Sequence, residues 1–393
     1  MTSSSLATLP TGSVETLVIG AGPFGLALAA RLEHHGIGYR IVGDSMSFWR
    51  HSMPSGMYLR SSWDWHLDSQ ANWTIERFLE SRQLAKSAVH PIPIATYLDY
   101  VEWFRCGAGI EPENVTVARL DRRPDNSFVA ELTNGETRHA RTVVLALGFS
   151  SFADEPSAVI SRLPGVRVTH TLHAVDFSAA AGRRYLIVGG RQSAFEWAAL
   201  LGEAGAASVD IVHRHPTPAF AEANWTWVPP LMEEMVANPG WFRSLSDADK
   251  EKYRRRLWGE GRLKIEPWLK SRIESKPVNI WPETEIIDSS QHGDIATVWL
   301  SNGASLQVDQ IILATGYRPD IGRIPLLRQG NLLPEIAQDN GIPLLDTSFQ
   351  TSVAGLYMTS LLANRDFGPF FGFTVAARGA ATVLGDDLAR RLL

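Results

Sequence analysis

Apolar and β-branched residues gather along this chain into short runs that stop at glycine. Thr16-Leu17-Val18-Ile19-Gly20 is the first, and it predicts a buried parallel strand. Leu26, Leu28, Ala29 and Leu32 then recur at helical spacing over Phe24–His35, and Gly36 predicts the helix end. Tyr39–Val42 predicts a second strand. The same order returns in the middle of the chain. Arg184–Val188 predicts a strand, Gly189-Gly190 a turn, Ala194–Leu201 a helix and Ser208–Val212 a second strand. The apolar runs Thr142–Gly148 and Gln310–Gly316 also end at glycine and predict a late strand for each unit. Thr297–Leu300 and Ser305–Val308 flank Asn302-Gly303 and predict a hairpin.

The pattern predicts an α/β protein with two Rossmann-like dinucleotide-binding domains. The expected division is 1–165 for the first part of one domain, 166–310 for the other and 311–393 for the return to the first. The first domain is thus discontinuous in sequence. Residues 215–282 read as an insertion that carries six of the 13 tryptophans: Trp225, Trp227, Trp241, Trp258, Trp268 and Trp281. Asp247–Trp258 and Arg262–Ile273 predict helices within it, whereas Asn224–Pro230 fits neither helix nor strand.

Composition narrows the function classes. A formal net charge of −5 excludes a binder that works by neutralising nucleic-acid phosphates. The lone cysteine, Cys106, excludes an intrachain disulfide and a Cys-x-x-Cys redox pair, and it suits a reducing compartment such as the cytoplasm. No run of 18 or more apolar residues predicts a membrane span. Met1–Gly12 is Ser/Thr-rich without a basic n-region, and is expected to be an unstructured lead-in rather than a signal peptide.

The chemistry lies in the two turns. In Gly20-Ala21-Gly22-Pro23-Phe24-Gly25, Gly20 permits the tight turn, Gly22 lets a pyrophosphate approach the backbone and Gly25 lets helix meet strand. Asp44 follows the second strand and is a candidate for a ribose hydroxyl. In the second turn, Gly189-Gly190-Arg191-Gln192-Ser193, arginine stands where the middle glycine would. Arg191 either blocks backbone approach or itself contacts phosphate. Arg214, after the second strand of that unit, is a candidate for the 2′-phosphate of NADPH.

With these residues the chain resembles the flavoprotein monooxygenases with two dinucleotide domains, the group of flavin-containing monooxygenases, Baeyer–Villiger enzymes, N-hydroxylases and FAD-dependent urate hydroxylases. The likeness rests on residues 20–25, on Gly189–Ala194, on Asp309 with Leu313-Ala314-Thr315-Gly316-Tyr317, and on Phe48-Trp49-Arg50 with Met53–Ser61. It implies FAD in the first domain and NADPH in the second. It implies FAD contacts for Trp49, Arg50, Met57, Leu59 and Ser61, and a place for Thr315 and Gly316 near the nicotinamide. Phe367-Gly368, in the segment Asn364–Phe373, is similar to the stretch that brings backbone and a helix start to the flavin pyrimidine edge; a packing loop is the alternative. The implied reaction is hydroxylation of a small organic substrate with O2 through a C4a-(hydro)peroxyflavin. No catalytic side chain is then required.

Trp225 and Trp227 are candidates to line a planar or apolar substrate pocket, with core filling as the alternative. His170, His173 and Asp176 have metal-like spacing, but a hydrogen-bonding role is expected and no metal. Two other functions stay open: an oxygen-independent NADPH-dependent flavin reductase serving a quinone or protein partner, and a non-catalytic nucleotide-binding protein. Neither a nucleic-acid nor a membrane partner is expected, and a homodimer is admitted.

Overall fold

The computed structural model describes residues 13–393, so the expectation for Met1–Gly12 lies outside the described residues. Two sheets frame the molecule. The first runs in the order Tyr39–Val42, Val14–Ile19, Thr137–Leu145, Phe128–Leu132, Val117–Arg122, and Leu356–Met358 also pairs with Thr137–Leu145. The strands nearest the first turn are parallel, and the last two form an antiparallel ribbon. The second sheet is all parallel, in the order Val278–Trp281, Ser208–Val212, Arg184–Val188, Gln310–Leu313, Val168–His170. A three-stranded antiparallel sheet of Ile286–His292, Ile295–Leu300 and Ser305–Val308 contains the expected Asn-Gly hairpin.

Each parallel sheet is covered by its own helix. Pro23–His35 buries Leu26, Leu28 and Leu32 completely, and each such side chain contributes about 2 kcal/mol of transfer free energy. Gly36 closes this helix in the left-handed conformation, φ 68°. The C-terminal helix Ala377–Leu392 packs along it, and Arg31 and His35 both bind Asp386, at 2.8 and 2.7 Å. The last strand and helix thus return to the first domain, as the discontinuous reading requires.

Three expectations need correction. The expected boundary at 311 falls inside the strand Gln310–Leu313, which belongs to the second sheet, so the chain leaves that sheet only after Leu313. The insertion does not reach Pro282, because Val278–Trp281 registers against Val209–Val212 as an edge strand and the Trp281 indole donates to Asp210 at 2.9 Å. The helix expected over Arg262–Ile273 is broken. Asp247–Arg262 runs on one turn, Lys264–Ile265 pairs with Ala219–Phe220, and a helix resumes at Trp268. Pro267 sits just before that restart; inside a continuous helix it would remove a hydrogen bond and clash with the preceding turn. Val228–Ala237 is also helical, entered through Pro229 and Pro230 in its first turn, where missing N–H groups cost nothing.

Candidate active site

The first turn forms the floor of a cleft of about 260 Å³. Gly20 has φ 110°, and a Cβ there would overlap the Ala146 carbonyl oxygen; a Cβ on Gly25 would overlap the carbonyl oxygen of Gly20. These two glycines are demanded by the fold itself. Gly22 differs, since a Cβ there would meet nothing within 4 Å and would point into open space. Gly22 also starts the helix without any side-chain cap, so the first N–H groups are left for a ligand. Gly20, Gly22, Pro23, Phe24, Asp44 and Trp49 all line the cleft. Gly25 lies beneath it as the packing glycine.

The walls come from segments far apart in sequence. Phe48 and Phe149 line the cleft 5.3 Å apart, and Tyr317 touches both at 5.8 and 5.0 Å. Gly372, Phe373 and Thr374 also line the cleft, with Gly372 beside Phe149. Ser61 reaches the cleft through Thr374, with their hydroxyls 3.3 Å apart. The Tyr97 hydroxyl is buried beside Thr374, and its ring packs on Trp49 at 4.9 Å. Burial pushes this phenol far above its usual range. An uncapped helix start and the open space over Gly22 suit a dinucleotide whose phosphates take the free N–H groups.

Other expected contacts fall elsewhere. Asp44 faces the cleft, but His51 Nε2 holds its carboxylate at 3.0 Å. Arg50 turns outward to Glu102, at 3.8 Å. Met57 and Leu59 are buried behind the cleft, where their backbones pair with Ile94 and Ile92. Phe367 does not face the cleft; it stacks on Phe349 at 3.6 Å, and Gly368 packs on Phe242. The cleft contact of that segment lies further on, at Gly372–Thr374, because Gly368 at φ 106° turns the chain before it gets there.

Thr315 and Gly316 lie at the crossing between the domains. Ala153 bridges Tyr317, Asp154 N donates to the Gly316 carbonyl at 2.9 Å, and Arg318 N donates to Phe152 at 2.7 Å. His170 holds the same crossing: one ring nitrogen accepts from Leu172 N and the other donates to the Gly316 carbonyl, both at 3.0 Å. Burial keeps this imidazole below its usual pKa, and the two partners require the neutral Nε2–H form. No group of His, Cys, Asp and Glu among the described residues could hold a metal.

The second turn repeats the backbone path of the first with a different residue at the helix start. A Cβ on Gly189 (φ 135°) would overlap the Ala314 carbonyl oxygen, as one on Gly20 would overlap Ala146. Arg191 takes the position of Gly22 with nearly the same backbone, φ −113° and ψ −179° against −85° and −170°. Its guanidinium is drawn sideways over Trp258, 4.3 Å from the ring centroid, and donates to the Arg262 carbonyl at 2.7 Å. Burial and then the nearby Arg214 charge hold Arg191 below its usual pKa, so two cations crowd this turn. Gln192 accepts from Glu266 N at 3.0 Å, and Ser193 stays exposed in the first turn of the helix.

The tryptophan-rich insertion clasps the first domain. Trp225 lies half-buried between Trp65 (5.7 Å) and Phe373 (5.6 Å), one ring away from the cleft. Trp227 is buried against Phe370, with Arg256 over its other face, and so serves packing. Trp65, Tyr97, Phe149 and Thr374 were not legible as site residues, since nothing local marks them. Glu196, missed in the sequence, has a local signal: a carboxylate set between the apolar Phe195 and Trp197.

Comparison with known proteins agrees with this fold. The profile of the pyridine nucleotide-disulphide oxidoreductase family matches residues 17–240. The FAD-dependent urate hydroxylase of Xanthomonas campestris pv. campestris is 27% identical over 262 residues, 65% of this chain and 51% of that protein; the match spans about half of that relative's length. Indole-3-pyruvate monooxygenase YUCCA1 of Oryza sativa subsp. japonica is 26% identical over 337 residues, 78% of this chain and 77% of that protein. The solved ornithine N-hydroxylase of Kutzneria sp. 744 superimposes with a TM-score of 0.78 at 18% identity, over 96% of this chain and 99% of that one, which establishes the shared fold.

Proposed function

This chain belongs to the pyridine nucleotide-disulphide oxidoreductase family, and on that premise we propose that it is a single-component monooxygenase that uses FAD, NADPH and O2 to hydroxylate a small organic substrate. One observation carries the reading. The family's disulphide chemistry needs two thiols, and this chain has one, Cys106, which is exposed on the helix Ile94–Gly107 and hydrogen-bonded to Glu102. The cleft is lined instead by four phenylalanines and a tryptophan around a dinucleotide turn. Relatives named as urate hydroxylase and indole-3-pyruvate monooxygenase support the same conclusion.

FAD would supply hydride acceptance and oxygen activation. The protein's residues would bind, orient and exclude water. The N–H groups that follow Gly22 would hold the pyrophosphate. Asp44 would accept from the ribose once it exchanges His51 for that partner. Trp49, Phe48 and Phe149 would keep the reacting centre dry. The turn Thr374–Ala376, which leads into the helix from Ala377, would present N–H groups to the pyrimidine edge. In the second domain, Ser193 and the helix start would hold the NADPH pyrophosphate, and Arg214 the 2′-phosphate. Arg191 would support this site from the side rather than through its backbone. Trp225, which packs against Phe373, would contact an aromatic or apolar substrate. No helix among the described residues is long and apolar enough to cross a membrane. The free, exposed Cys106 suits a cytoplasmic location.

The test is the absorbance spectrum of the purified protein, followed by NADPH oxidation with and without O2. A bound-flavin spectrum and O2-dependent, substrate-stimulated oxidation are expected. Equal turnover with a quinone in the absence of O2 would mark a reductase. A protein that takes up no flavin on reconstitution would overturn the proposal.

A further inference from the structure

The loop Gly56–Ser61 belongs to the first domain, where Met57 and Leu59 pair with Ile94 and Ile92, yet Gly56, Tyr58 and Arg60 reach the second. A Cβ on Gly56 would stand 2.9 Å from Leu200 on the helix that opens the second dinucleotide site. Two residues on, Tyr58 N donates to the Glu196 carboxylate of that same helix at 3.0 Å. The Tyr58 ring packs edge-on against Trp268 at 5.0 Å. Arg60 binds Glu266 at 2.7 Å and the Gly261 carbonyl at 2.8 Å. Glu266 N in turn donates to Gln192, at the start of the helix. At its far end the loop reaches the cleft, through Ser61 and Thr374.

Glu196 is the unusual member of this set. It is 1% exposed in a helix whose neighbours Phe195, Trp197, Ala198 and Leu200 are apolar and buried. A carboxyl group in such a place costs stability unless it is neutralised or hydrogen-bonded. Plain packing would be served better by leucine. The groups that face it are Tyr58 N–H and Arg60 from the loop, Arg272 from the helix Trp268–Glu274, and Gln192 from its own helix. The two arginines are already engaged, Arg60 by Glu266 and Arg272 by Glu203 at 2.7 Å.

We propose that Glu196 is a positioning residue that fastens the flavin-side loop to the second-site helix, and that gain or loss of its proton sets how firmly the two domains hold together there. The inference deepens the proposed function and rests on it only for its kinetic consequence. Burial raises the Glu196 pKa to about 7, and the Tyr58 hydrogen bond and the Arg272 charge offset only part of that rise. The sign follows from linkage. A carboxyl group that binds its proton more tightly in the closed contact favours closure when protonated. Closure is therefore firmest at acid pH. It weakens as pH rises from the ordinary carboxyl range to about 7, and is level above that.

The test is hydrogen–deuterium exchange of the peptide 56–61, corrected for the intrinsic pH dependence of exchange, together with NADPH-driven flavin reduction. In the wild-type protein, protection of Tyr58 N–H should fall by tenfold or more between pH 5 and pH 8. In Glu196→Gln the neutral amide still accepts that hydrogen bond, so protection should stay at the acid level across the range. Glu196→Ala should lose protection at every pH. It should lower kcat/KM for NADPH about tenfold while FAD affinity stays within about threefold. A wild-type protection profile that is level in pH, or one that Glu196→Gln leaves unchanged, overturns the proposal. The exchange readout needs no bound flavin, so a colourless protein would sink the monooxygenase reading and still decide this one.

Discussion

The two glycine turns follow similar backbone paths and differ in the residue that opens the helix. Gly20 and Gly189 both adopt φ above 100°, and both press against the carbonyl at the end of a neighbouring parallel strand, Ala146 in one and Ala314 in the other. The residue that opens each helix has the same extended conformation, whether it is Gly22 or Arg191. Glycine at that position is therefore not required by the turn. It is required only where something must lie directly on the backbone. The first turn keeps the space open and faces a cleft lined by Trp49 and Phe48. The second fills the position with a cation anchored by Trp258 and the Arg262 carbonyl. The first glycine of each motif serves the fold, whereas the third position, Gly22 or Arg191, leaves the turn intact whichever residue stands there.

Substitutions can break this distinction, and the largest effect should come from the fold-bearing glycines. Gly25→Val drives a side chain into the Gly20 carbonyl and should cost more than about 3 kcal/mol, read as loss of soluble protein or a collapse of the denaturation midpoint. Gly22→Arg copies the second turn into the first. It should leave the melting temperature of the apoprotein almost unchanged and abolish flavin retention, seen as a colourless protein after reconstitution. Arg214→Glu should raise KM for NADPH by tenfold or more and that for NADH much less, because a carboxylate replaces the proposed 2′-phosphate partner. Arg191→Gly copies the first turn into the second and should do least. It gives up a stacked cation worth about 0.5–1 kcal/mol and should move KM for NADPH by less than about threefold. A change of a hundredfold there would make Arg191 a direct phosphate ligand.

The two-domain plan was legible because strand-turn-helix units are local. The runs at 16–20 and 184–189, the helix ended by Gly36 and the Asn302-Gly303 hairpin each state their own conformation within about ten residues. Errors arose where the partner was distant. Val278–Trp281 looked like part of an insertion, and only Ser208–Val212 beside it makes it a strand. Phe367 and Gly368 looked like the flavin edge, and only Phe349 and Phe242 show that they belong to the core. Pro267 is a local signal, and it breaks the helix expected there.

By itself the sequence determined the α/β plan, both dinucleotide turns and the exclusion of an internal disulfide, since backbone sterics and residue counts need no third dimension. The tertiary structure alone decided which side chains face the cleft. Ser61, Tyr97, Phe149, Tyr317 and Thr374 come together from segments more than 250 residues apart at the extremes. It also decided that Arg191 turns aside and that Glu196 meets Tyr58 across the domains. Such contacts depend on how the sheets pack, and packing is set by the burial of surfaces that no single stretch of chain contains.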